Sequence, residues 1–123
     1  KGIFPVKLRL HDRSAKRIGR LPSGSTVLTV HRDEDFPRVG AMISELLREQ
    51  FGRGLRFDSA GIGQIPDLAA LAKTEKYQLI IISRHLWNEV PEKARRLSKV
   101  IPNISAVDME SLEEIRMQAG ILV

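Results

Sequence analysis

The segment Tyr77-Gln-Leu-Ile-Ile-Ile-Ser83 constrains the fold more than any other stretch of the chain. Its large, branched apolar residues favour extended backbone, and the run is far too short to cross a bilayer. A half-buried antiparallel strand alternates apolar and polar positions. This one does not, so it reads as a strand covered on both faces, of the kind found in parallel sheets with helices above and below. In such sheets ligands and chemistry gather just beyond the carboxyl ends of the strands, which singles out Ser83, Arg84 and His85.

The remainder of the chain supplies partners for that strand. Thr26-Val-Leu-Thr-Val30 is a first core strand, ending in the charged run His31-Arg-Asp-Glu-Asp35. After Phe36-Pro37, the residues Val39, Met42, Ile43, Leu46 and Leu47 fall on one face of a helix that Gly52 and Gly54 are placed to end. Leu55-Arg-Phe57 is a second strand, and Asp58-Ser-Ala-Gly-Ile-Gly63 follows it. Gly61-Ile-Gly63 lacks the third glycine of a dinucleotide fingerprint and reads as a turn. Pro66 and Asp67 suit the first turn of a second helix with Leu68, Leu71 and Ala72 inward. Residues 91–99 form a third helix with Ala94 and Leu97 inward, and residues 104–107 a fourth strand. Ser111 with Glu114 matches a capping box, Leu112, Ile115 and Ala119 form a stripe that Gly120 ends, and residues 121–123 begin a fifth strand. Strand and helix alternate throughout with short connections. The expected architecture is therefore α/β, an open, doubly wound parallel sheet of five strands.

Residues 1–25 differ in character, and the expected division is a basic leader over 1–25 and an α/β domain over 26–123. The leader carries Lys1, Lys7, Arg9, Arg13, Lys16, Arg17 and Arg20 against Asp12 alone, so it holds more than the chain's whole net charge of +5. Val6, Leu8 and Leu10 alternate with Lys7 and Arg9, as in a strand with one apolar face. With His11 to Ser14 as a turn and Arg17 to Leu21 returning, the segment reads as an extended stretch or β-hairpin. Lys7, Arg9, Arg13, Lys16, Arg17 and Arg20 are the candidates for contact with nucleic acid or an acidic protein, and a solvated linker is the other reading. Lys1 is not an initiator methionine, so the expectation is a processed or partial form of a longer chain.

Composition closes several routes. The 123 residues make one domain, and the absence of cysteine removes disulfides, thiolate metal sites and a cysteine nucleophile. No apolar run reaches the roughly 20 residues that span a bilayer. A cytoplasmic location without membrane attachment is the expectation. His31 and His85 stand at the ends of neighbouring strands near Asp33, but nothing in their spacing defines a ligand set, so neither a metal nor another cofactor is expected.

Three stretches carry a resemblance. Val27-Leu-Thr-Val-His-Arg-Asp-Glu-Asp-Phe36 entering a Leu-Leu-Arg helix, Glu75-Lys-Tyr-Gln-Leu-Ile-Ile-Ile82, and Ser111-Leu-Glu-Glu-Ile-Arg-Met-Gln-Ala-Gly120 look like the receiver domain of bacterial response regulators. The resemblance covers residues 27–123 and implies a flavodoxin-like fold. Active receivers are similar to one another in a pocket where two acids after the first strand hold Mg²⁺ and an Asp ending the third strand accepts phosphate. Here those positions fall on His31, Arg32 and Ser83, with Val107 or Asp108 near the place of the family's hydroxyl. A hard dication needs carboxylate oxygens, and phosphoryl transfer to a carboxylate needs that cation. Asp33, Glu34 and Asp35 would enter the pocket only if the loop were offset.

A weaker resemblance links Asp58-Ser-Ala-Gly61 to low-molecular-weight tyrosine phosphatases, whose thiolate this chain lacks. The resulting expectation is a degenerate receiver without enzymatic activity that docks onto another protein or a second copy of itself within a bacterial signalling or transcription-regulatory protein. A nucleic-acid module led by residues 1–25 and a catalytically dead anion-binding domain are the alternatives. The degenerate pocket comprises His31, Arg32, Asp33, Ser83, Arg84 and Asp108. Arg32 either offers an anion its guanidinium or pairs with Asp33, Glu34 or Asp108. Trp87 and Leu86 are the expected interface anchors.

Overall fold

The computed structural model describes residues 12–52, 54–83 and 86–102, apart from the side chains of residues 12–14. Four parallel strands form one sheet: β1 (Thr26–His31), β2 (Arg56–Gly61), β3 (Leu79–Ile82) and β4 (Val100–Pro102), in the order β2-β1-β3-β4. The isoleucine run is β3, between β1 and β4, and none of its four residues exceeds 1% exposure. Val27 lies opposite Leu79 and Val30 opposite Ile82, while Ile80 faces Val100. Burial on both faces explains why apolar and polar residues do not alternate in this strand.

Alternation along the strands sorts the core into two layers. Val27, Phe57, Leu79, Ile81 and Ile101 point to one face, where Met42, Ile43, Leu46 and Leu47 of α2 (Ala41–Phe51) cover them. Leu28, Val30, Ile80, Ile82 and Val100 point to the other, beneath Leu68, Ala69 and Ala72 of α3 (Leu68–Lys73) and Ala94 of α4 (Glu92–Arg95). Asp67 caps α3 by accepting the Ala70 N–H at 3.0 Å, as its position after Pro66 suggests. One turn of π-helix, Phe36–Gly40, leads into α2 and brings Val39 into the same core.

Two expectations about the ends of the domain are overturned. Asp12–Gly19 is a helix, α1, and not part of a hairpin. Ala15, Lys16 and Arg17 are good helix formers, and the last two favour the negative end of the helix dipole. Eight residues are too few to hold a helix alone. What holds α1 is Ile18, which is 0% exposed and packs with Val27, Leu79 and Ile101, a burial that stabilises the fold by about 2 kcal/mol. The α2 face of the core thus extends into the stretch read as a leader.

The second correction concerns the helix expected over residues 91–99: α4 ends at Arg95, and Val100–Pro102 already form the strand β4. Its preceding helix is one turn long because the Leu97 and Val100 N–H groups bond three residues back, to Ala94 and Leu97 carbonyls, and swing the chain into the sheet. Val100 and Ile101 suit a strand, and Pro102 suits its outer position, where no ladder donor is required. The sheet of the described residues has four strands, not five; residues 104–107 and 111–123 lie outside them.

Candidate functional site at the carboxyl edge

β1 and β3 are neighbours whose connections leave in opposite directions, so the crevice past their carboxyl ends is where a ligand site is expected. His31 ends β1 on the face covered by α2 and is 3% exposed. Its Nε2 lies 2.9 Å from the hydroxyl of Thr29, two residues back on the same face. The Thr29 hydroxyl in turn approaches the Asp58 carbonyl of β2 at 3.4 Å, an arrangement that fits a ring protonated on Nε2. Gly40 makes room for the imidazole, since a Cβ there would come within 3.1 Å of Cδ2 and 3.2 Å of Ser59. Burial pulls the His31 pKa down from 6.5 to about 4, with Asp35 acting in the opposite sense. The ring is therefore neutral at pH 7.

The next two residues are turned toward other parts of the chain. Arg32 donates to the Glu89 carboxylate at 3.0 Å, tying the end of β1 to the 3₁₀ turn Trp87–Glu89 that follows β3. Both side chains are substantially solvated, and a pair of this kind contributes at most about 1 kcal/mol. Glu89 was not among the partners anticipated for Arg32. Asp33 accepts the Gly63 N–H at 2.8 Å, and its carboxylate fills the space beside Gly61 and Gly63, where a Cβ on either would come within 2.5 Å. This is the physical reason for the two glycines. Gln64 completes the turn by accepting the Gly61 N–H at 2.9 Å.

Ser83 sits beside the end of β1. Its N–H donates to the Val30 carbonyl at 2.9 Å, its own carbonyl accepts from Leu86 at 2.8 Å, and the residue is half-buried. The interface role expected of Leu86 fails, because that residue is 1% exposed and belongs to the core on the α3 face. Trp87 is half-buried against the same core. Beside Glu89 an open cleft of about 340 Å³ runs between the β2–α3 and β3–α4 connections, floored by Ile62, Ile65 and Leu68. Among the described residues no three His, Asp or Glu side chains converge as metal ligands.

The structure thus brings His31, Arg32, Asp33 and Ser83 to one edge. Arg84, His85, Asp108, Lys7 and Arg9 lie outside the described residues, as does the Arg13 side chain. Lys16, Arg17 and Arg20 belong to α1 and the turn after it, on the amino side of β1 and away from this edge. Sequence reasoning passed over Thr29 and Glu89. Thr29 had a signal: a polar residue inside an apolar strand, two positions before a histidine, shares that histidine's face. Glu89 had none beyond being the only acid between Ser83 and Pro91. Comparison with protein-family models, curated proteins and solved structures finds no match to the chain.

Proposed function

We propose that this chain is a receiver-like domain of flavodoxin type that has lost phosphorylation and acts by binding another protein, or a second copy of itself, within a bacterial regulatory system. One observation carries the reading: where a receiver needs an acid at the end of its first strand, this protein has a neutral histidine packed under the helix and held to Thr29. Arg32 in the adjoining position would repel a dication, and its guanidinium is already engaged by Glu89. Ser83 at the end of β3 offers a hydroxyl in place of a phosphoacceptor carboxylate. Asp33, the next residue along, accepts a backbone N–H from the glycine turn. On this reading the edge has exchanged cation binding for internal bonding, and output does not depend on a phosphoryl group.

The test is an amide NMR spectrum recorded with and without beryllofluoride or acetyl phosphate in the presence of Mg²⁺. The expected result is an unchanged spectrum. Saturable shifts clustered at residues 31–35 and at Ser83 would contradict the proposal, because they require a working cation pocket.

A further inference from the structure

The opposite edge of the sheet is built differently. Because all four strands are parallel, the segments that precede them share one edge, and hydrogen bonds join these segments into a continuous surface. Arg17 of α1 donates to the Ser98 carbonyl at 2.9 Å, just before β4. Lys99, the next residue, donates to the Thr74 and Tyr77 carbonyls at 3.2 and 2.9 Å, reaching the α3–β3 connection. Lys73 and Lys76 flank that contact and are exposed, and Lys76 lies over the Tyr77 ring at 5.5 Å from its centre. Arg20, also exposed, follows α1.

Backbone carbonyls satisfy hydrogen bonds without cancelling charge. Among the described residues no salt bridge reaches Arg17, Arg20, Lys73, Lys76 or Lys99, although Glu75 stands between two of them in sequence and Arg96 nearby is paired with Glu92. The negative ends of helices do attract cations here, which accounts for Lys99. It also favours Arg20, whose N–H bonds the Lys16 carbonyl at the end of α1, but does not account for the exposed Lys76, three residues past α3.

We infer that this basic edge binds the phosphate backbone of duplex nucleic acid without reading its sequence. A docking protein needs aromatic or apolar anchors, and Tyr77, the aromatic side chain among these cations, is 8% exposed. Phosphate contact needs only positive charge held in register. Two neighbouring strands with a helix stacked on them span on the order of 15 Å. A duplex presents on the order of nine charges over that distance. Lys16 of α1, also exposed, adds to the charge of this side.

Fluorescence anisotropy of a labelled 20-base-pair duplex, titrated with the full chain between 50 and 200 mM salt, tests this. Log affinity should fall against log salt with a slope of about −3 to −5, and two unrelated sequences should bind within about twofold of each other. Lys73→Gln with Lys76→Gln should weaken binding about tenfold and flatten the slope by about 2, with thermal melting unchanged. Arg20→Gln, in a separate turn, should give a smaller loss in the same direction and guards against misfolding of the double variant. Absence of binding at 50 mM salt would overturn the inference. So would full binding by both variants, or polyglutamate competing as well as the duplex, since the surface would then suit acidic protein.

Discussion

The two edges of one sheet handle charge in opposite ways. At the carboxyl edge Arg32 meets Glu89, Asp33 meets a glycine N–H, and His31 is neutral and buried. At the amino edge Arg17 and Lys99 lean on carbonyl oxygens, and their charge stays uncompensated. The difference teaches that the position of a site in an α/β fold is not enough to establish one. Topology places the crevice past β1 and β3, yet the side chains there are committed to each other, while the side that topology marks as scaffold keeps its charges available.

The largest expected effect bears on whether α1 is part of the amino edge at all. Ile18→Ala should cost about 3 kcal/mol in urea unfolding, because the side chain is fully buried in the core cluster that includes Val27, Leu79 and Ile101. Cutting the chain before Ser25 should cost more. A stability unchanged by Ile18→Ala would detach α1, and with it Arg17 and Arg20, from the amino edge.

Next comes acid stability. The His31 ring takes a proton at about pH 4 in the fold and at 6.5 when unfolded, so the unfolded chain binds protons more readily between these values. The contribution is complete above pH 6.5 and declines as pH falls, reaching a loss of about 3 kcal/mol near pH 4. The difference between the stability profiles of wild type and His31→Gln reads the contribution of the ring. A constant difference from pH 7 to 4 would mean that His31 is hydrated and the carboxyl edge open.

Gly61→Ala should cost about 1–3 kcal/mol, since the new methyl would lie 2.5 Å from the Asp33 carboxylate and 3.3 Å from its Cα. Asp33→Ala should relieve part of that cost, so the double variant should be more stable than additivity predicts. The smallest effect is at Arg32 and Glu89. A double-mutant cycle should give a coupling below about 1 kcal/mol, given exposures of 40% and 58%. A larger value would mark the pair as a structural lock on the carboxyl edge.

How much of this was legible depends on the kind of signal each element carries. The β3 run and the apolar face of α2 are local patterns with one solution, and both are present where the sequence places them. The helix α1 was misread because one buried isoleucine among cations leaves no periodicity; its burial is decided by Leu79 and Ile101, far away in sequence. The strand Val100–Pro102 was passed over because Val100 and Ile101 follow a helical pattern without a break in composition, and pairing with Ile80 and Ile81 of β3 decides their state. At the site, His31, Arg32 and Ser83 follow from strand ends, and they lie at the carboxyl ends of β1 and β3. The partners Thr29 and Glu89 depend on side-chain reach across the edge, which chain order does not encode.

Amide NMR mapping of the full chain during titration with the 20-base-pair duplex, followed by beryllofluoride and Mg²⁺ in the same tube, reads both edges at once. The predicted result is shifts from duplex at residues 16–20, 73–78 and 96–99 that salt reverses, with residues 31–35, 61–63 and Ser83 unmoved by either addition. Shifts at residues 31–35 and Ser83 with Mg²⁺ and beryllofluoride, or a silent amino edge in the presence of duplex, would contradict the account.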